Sequence, residues 1–149
     1  MNRIQKIAWL MVISIRTAVL LSTVTVGVLY YLYGFPRAWA GLAFLGLSGI
    51  GGLGEAIFKK DPGPVQMDER DREIIFKAHR ASMVLSYLVF GMLSMGIWAA
   101  YYFYFKIETI SIHILPNVYM AAGITAFFSN ALMTLILYGR DNTREGETK

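Results

Sequence analysis

Four long apolar segments, separated by short stretches that hold almost all of the charge, dominate the pattern of this 149-residue chain. They cover residues 7–33, 38–58, 81–105 and 114–138; the first contains Arg16, the second contains Glu55, and the last two contain no charged residue. About 20 predominantly apolar residues cross the hydrocarbon core of a bilayer as an α-helix. The pattern therefore predicts an all-α polytopic membrane protein whose residues 1–139 form a single domain, an antiparallel four-helix transmembrane bundle.

The long polar connection, residues 59–80, contains a helix start of its own. Asp68 is a good N-cap, acidic residues follow it in the first turn, and Glu73 precedes Lys77 by four residues, the favourable order for a helical ion pair. One helix from about Glu69 to Phe105 would be longer than a bilayer requires. We therefore expect the third helix to extend into the cytoplasm, and we expect residues 140–149 to form a disordered cytoplasmic tail.

Composition and charge support membrane insertion and suggest a sidedness. The chain is 56% hydrophobic and 16% charged, whereas soluble domains average about 25% charged residues. By the positive-inside tendency, both termini and residues 59–80 face the cytoplasm. The net charge of +4 comes with no basic run that would indicate nucleic-acid binding. The basic residues on the predicted inner side are Arg3, Lys6, Lys59, Lys60, Arg70, Arg72, Lys77, Arg80, Arg140, Arg144 and Lys149, which is eleven of the fourteen in the chain.

Polar residues inside the predicted spans are candidates for function, because hydrocarbon makes them costly. Arg16 and Glu55 fall at similar predicted depths on neighbouring antiparallel helices, with Asn130 and His79 at a similar depth on the other two. We expect these four residues to form an intramembrane polar layer that includes an Arg16–Glu55 ion pair. Two alternatives are that Arg16 snorkels to the inner headgroups and that the layer is a transport or ligand site.

The second span is rich in glycine. Residues 49–54 match G-x-G-x-x-G, but a dinucleotide site requires a strand before the motif and a βαβ unit around it, and here the motif lies inside a predicted span. Small residues allow membrane helices to approach closely. We therefore predict helix packing by Gly46, Ser48, Gly49 and Gly52, against this chain, a second copy or another membrane protein.

Catalytic and metal chemistry has little support in the sequence. The chain has no cysteine, and its two histidines fall on opposite predicted sides of the membrane. No nucleophile–base set, phosphate-binding loop or metal-ligand spacing can be assembled from its residues. We therefore expect a protein that is not an enzyme and that uses no cofactor and no metal.

The cytoplasmic helix start carries a family resemblance. Residues 67–78 resemble the D-E-R-x-x-x-I-x-x-K-A signature of a family of small prokaryotic four-span membrane proteins that has no assigned activity. The positions that match the signature or lie within it are Asp68, Glu69, Arg70, Asp71, Ile74, Lys77 and Ala78. The resemblance implies a four-span protein of a prokaryotic plasma membrane.

Two functions are consistent with these patterns. The first is a non-enzymatic membrane interaction protein, a subunit or regulator, in which residues 68–80 dock a cytoplasmic partner and the glycine-rich span contacts another helix. The second is a small oligomeric transporter or channel with a path lined by Arg16, Glu55 and Asn130. A transporter needs a polar stripe across the membrane, and the outer halves of the last three spans are almost purely apolar and aromatic.

Overall fold

The computed structural model describes residues 2–35, 37–58, 68–109 and 114–147, with only the backbone described for 141–147. In these ranges the chain is helical and contains no strand. The four helices are α1 (Arg3–Tyr33), α2 (Arg37–Ile57), α3 (Glu69–Phe105) and α4 (Ile114–Glu147). The all-helical prediction is therefore confirmed for the described residues. By length and composition, each helix contains a stretch that could cross a membrane.

Local side-chain chemistry explains where α1 and α3 begin. Asn2 and Gln5 form a capping box at the start of α1, where the Gln5 N–H donates to Asn2 Oδ1 at 2.9 Å and the Asn2 N–H donates to Gln5 Oε1 at 3.1 Å. Asp68 caps α3 as predicted, accepting from the Asp71 N–H at 2.6 Å. The α3 helix then runs without a break into the apolar segment, and its last turn, Ala100–Phe105, widens to a π-helix.

The second helix is wound more tightly than an α-helix. Residues Arg37–Leu53 form a 3₁₀ helix, followed by one α-helical turn, Gly54–Ile57. A 3₁₀ helix rises about 2.0 Å per residue instead of about 1.5 Å, so 21 residues cover about 40 Å rather than about 31 Å. This elongation lets the short α2 lie along most of the 31-residue α1.

The helices form an open arrangement rather than a closed bundle. The α2 helix packs along α1, α1 packs on α4, and α4 packs on α3, whereas α2 and α3 form no packed interface in the described ranges. The core of the described ranges consists mainly of small residues: Ala18, Ala38 and Ala78 are fully buried, and Ile15, Ile74 and Tyr138 are among the few larger side chains in it. Small residues permit close helix contacts without a bulky core.

The C-terminal part of the chain differs from the prediction. We expected the last helix to end near Tyr138 and a disordered tail to follow, but the α4 backbone stays helical to Glu147. No proline follows Gly139, and arginine and glutamate have good helix propensity, so the polar composition of the tail does not end the helix. Residues 148–149 of the predicted tail and residues 59–67 of the predicted loop lie outside the described ranges.

Candidate functional site

All four helices contribute to a polar cluster at one end of the molecule. Arg3, in the first turn of α1, donates from Nε to the Phe58 carbonyl at 2.9 Å and from Nη2 to the Glu55 carbonyl at 3.0 Å. These bonds satisfy carbonyl groups that the end of α2 leaves without helical partners. The start of α1 is thereby tied to the end of α2, as antiparallel neighbours require.

Asp71, in the first turn of α3, is the centre of this cluster. Its Oδ1 accepts a hydrogen bond from the Tyr138 hydroxyl and a second from Asn2 Nδ2 at 3.4 Å. Tyr138 is only 4% exposed. A carboxylate between two donors forms stronger hydrogen bonds than a neutral acceptor would. We call Asn2, Arg3, Asp71 and Tyr138 the end junction, because they join α1, α2, α3 and α4.

The predicted signature residues are divided between two faces of α3. Asp71, Ile74 and Ala78 face the interior, with Ile74 4% exposed and Ala78 fully buried. Glu69 is exposed, Arg70 is partly buried and interacts with other groups, and Lys77 Nζ lies 2.6 Å from Glu73 Oε1. The predicted Glu73–Lys77 pair is confirmed. Three of the seven signature residues therefore hold the fold together and are not available to a partner.

The predicted Arg16–Glu55 pair is not formed: both residues lie in the described ranges, both side chains are exposed, and no ion pair joins them. The reason is the register between α1 and α2. Gly54 contacts Ile7, so Glu55 lies near the level of Ile7. Arg16 is nine residues further along α1, which is about 14 Å. Counted from the turn between α1 and α2, the 3₁₀ rise of Arg37–Leu53 carries Glu55 further towards the end of α2 than an α-helical rise would.

The other two members of the predicted polar layer do not join Arg16 either. His79 is exposed on α3, and its carbonyl accepts from the Ser82 hydroxyl at 2.7 Å. Asn130 is half-buried, and its carbonyl accepts from the Thr134 hydroxyl at 2.8 Å. In the described ranges, no hydrogen bond or ion pair joins the side chains of Arg16, Glu55, Asn130 and His79 to one another.

The glycines that pack against α1 are mostly not the predicted ones. A Cβ atom on Gly41 would lie 2.6 Å from the Val26 nitrogen, and one on Gly51 would lie 2.9 Å from the Met11 Cα. A Cβ atom on Gly46, Gly49 or Gly52 would meet nothing within 4 Å, and Ser48 bonds to the Leu45 carbonyl of its own helix. The predicted positions therefore do not form the close contacts with α1; Ser48, Gly49 and Gly52 instead line a cavity beside Met11 and Ile15 of α1.

Buried hydroxyl groups are a feature that the sequence analysis did not predict. Within their own helices, the hydroxyls of Ser14 and Ser129 donate to carbonyls one turn earlier, at 2.7 and 2.6 Å. The Ser86 hydroxyl instead crosses from α3 to the Ala122 carbonyl of α4 at 2.9 Å. The sequence does carry a signal for these buried hydroxyl groups: serine and threonine recur beside alanine in the spans, and such residues favour helix interfaces in membranes.

The residue types in the end junction are suited to holding the helices together rather than to catalysis. It contains a carboxylate, a phenol, an amide and a guanidinium, but no nucleophile beside a base. In the described ranges, no three His, Asp or Glu residues lie close enough together to hold a metal ion. The chain matches no known protein family, no curated protein and no solved structure. The resemblance to the D-E-R signature family therefore stays a prediction.

Proposed function

We propose that this protein is a non-enzymatic helical membrane protein, a subunit or regulator, that binds a partner membrane protein through one face of α3. We call this surface the α3 face; its members are Phe76, His79, Arg80, Met83 and Tyr87. The observation that carries the proposal is that Phe76, Met83 and Tyr87, three large apolar side chains on one side of α3, are all exposed. Within the described part of the chain, α3 packs only on α4 and on its own π-helical end.

The chemistry of the α3 face fits protein recognition. Phe76 is 67% exposed and Tyr87 is 73% exposed, on the same side as the exposed His79 and Arg80. Together with Met83 they line a shallow hollow. Aromatic and arginine side chains contribute most to binding energy at protein interfaces. We expect a partner helix with apolar side chains and an acidic residue opposite Arg80.

The end junction prepares this surface for binding. Asp71 and Ile74 hold one side of the first turns of α3 against the rest of the protein. The opposite side, which carries Phe76 and Arg80, is therefore presented on a helix whose position is already fixed. A pre-ordered helix loses less conformational entropy when a partner binds.

The transporter alternative has less support. Arg16, Glu55 and Asn130 do not converge, and the interior cavity beside Gly49 and Gly52 has a mainly apolar lining. A path for a polar solute would require a continuous row of polar groups. The proposed location is the plasma membrane of a prokaryote with both termini cytoplasmic; this sidedness rests on the distribution of basic residues.

Single-cysteine variants test the proposal directly, because the chain has no cysteine of its own. Phe76→Cys is compared with Lys6→Cys, an exposed position near the same end on α1. In native membranes we expect a maleimide reagent to label the Phe76→Cys variant several-fold more slowly than the Lys6→Cys variant, and the two rates to converge once detergent removes the partner. Equal rates in native membranes would contradict the proposal. Labelling of the Lys6→Cys variant from outside intact cells would reverse the proposed sidedness.

A further inference from the structure

A narrow cleft runs between α2 and α4, with one side of α1 as its floor. A cavity of about 400 Å³ lies towards the end of the molecule where α2 begins, and its lining includes Trp39, Val19 and Ile124. A smaller cavity of about 150 Å³ continues from Ile124 towards Gly49 and Gly52. Both cavities have Ile124 in their lining, so they adjoin each other along the groove between α2 and α4.

The cleft offers mainly apolar contacts. The Ser48 hydroxyl donates to the Leu45 carbonyl at 2.6 Å, and the Thr125 hydroxyl donates to the Ala121 carbonyl at 2.8 Å. These hydroxyl protons are already used within their own helices, so a polar occupant would gain little from them. An apolar occupant would bury the exposed side of Trp39, which is 43% exposed.

The small volume of the inner cavity favours a flexible chain over a helix as the occupant. A helix with side chains is about 10 Å across, and the inner cavity of about 150 Å³ cannot admit one. A single hydrocarbon chain is much thinner. The larger cavity lies beside Trp39 and the smaller one beside Gly49, which fits a chain that enters at the Trp39 end and terminates beside the glycines.

A cation lies at the same end of α2 as the larger cavity. Arg37 is exposed at the start of α2, two residues before Trp39, and its guanidinium carbon lies 5.9 Å from the centre of the Tyr33 ring. This contact with an aromatic face helps to hold the guanidinium in place. Around it, Phe35 packs against Trp39 with ring centres 5.5 Å apart. Arginine binds phosphate through paired, charge-assisted hydrogen bonds, and aromatic rings favour the headgroup region.

We infer that this cleft is a phospholipid site: one acyl chain occupies the space between α2 and α4, and the lipid phosphate binds Arg37. Arg37, at the end of α2 that carries Trp39, matches the phosphate of such a lipid, and the mainly apolar cleft matches its acyl chain. The bound lipid fills the gap that α2 and α4 leave over α1. The site is separate from the α3 face.

Two pairs of variants test the two ends of the site. Gly49→Leu places a side chain in the narrow cavity, whereas Gly46→Leu places it on the same helix outside both cavities; neither backbone position has a neighbour within 4 Å of a new Cβ atom. Arg37→Gln removes the cation, and Arg37→Lys keeps it. Each protein is purified in mild detergent and mixed with myristoyl and oleoyl phosphatidylglycerol. Native mass spectrometry then measures the mass of the intact protein with its bound lipid.

We expect the original chain and Gly46→Leu to retain one lipid per protein and to prefer the longer chain. Gly49→Leu should reverse that preference, and Arg37→Gln should weaken retention about tenfold while Arg37→Lys keeps most of it. As a second measurement, brominated acyl chains should quench the fluorescence of Trp39 in a chain that carries Trp9→Phe and Trp98→Phe. The inference is overturned if no lipid is retained, if the two leucine variants behave alike, or if Gly49→Leu abolishes a dimer instead of a lipid complex.

Discussion

The contact between Gly41 of α2 and Val26 of α1 leads to a quantitative prediction. In Gly41→Ala, the new Cβ would lie 2.6 Å from the Val26 nitrogen, 2.8 Å from its Cγ2 and 3.0 Å from its Cα. Two of these atoms belong to the backbone and cannot rotate away, so α1 and α2 must separate locally. Overpacking of this kind lowers the free energy of unfolding by about 1–3 kcal/mol. Alanine also reduces the conformational entropy of the unfolded chain, which offsets about 0.4–1 kcal/mol of that loss.

We therefore expect Gly41→Ala to lower the free energy of unfolding by about 1–2 kcal/mol. The assay is equilibrium unfolding of the detergent-solubilised protein, followed by circular dichroism. Gly46→Ala is the matched control, because it is on the same helix and its Cβ meets nothing within 4 Å. It should leave stability unchanged or raise it slightly. If the two variants are equally stable, the close approach of α2 to α1 at Gly41 is refuted.

Three further predictions use the same unfolding assay. Gly34→Ala should lose about 1–3 kcal/mol, because Gly34 has φ 67° and ψ −173°, a region almost restricted to glycine; an unchanged stability would contradict this turn geometry. Tyr138→Phe and Asp71→Asn should show a coupling energy of about 1–3 kcal/mol in a double-mutant cycle, since each removes part of the same hydrogen bond; purely additive effects would exclude that bond. Arg16→Gln and Glu55→Gln should instead be additive within about 0.5 kcal/mol, and a larger coupling would mean that these side chains meet.

The start of α3 shows how far local sequence rules reach. Asp68 as the N-cap, the Glu73–Lys77 pair and one helix continuing from Glu69 to Phe105 follow from short-range preferences, and the structure confirms all three. The role of Asp71 does not follow from such rules. Its partners, Asn2 and Tyr138, are 69 and 67 residues away, and no local pattern connects them.

The amino-acid sequence by itself determined the number of helices, their approximate limits and their suitability for a membrane, because these depend on the length and polarity of contiguous segments. Only the tertiary structure decided which side chains meet. Each residue in the 3₁₀ part of α2 rises about 0.5 Å more than in an α-helix, and over its length this difference separates Glu55 from Arg16 and places Gly41 and Gly51 against α1. The order α2, α1, α4, α3 also leaves α3 with one packed neighbour among the described helices, and that is why its aromatic and basic face is exposed.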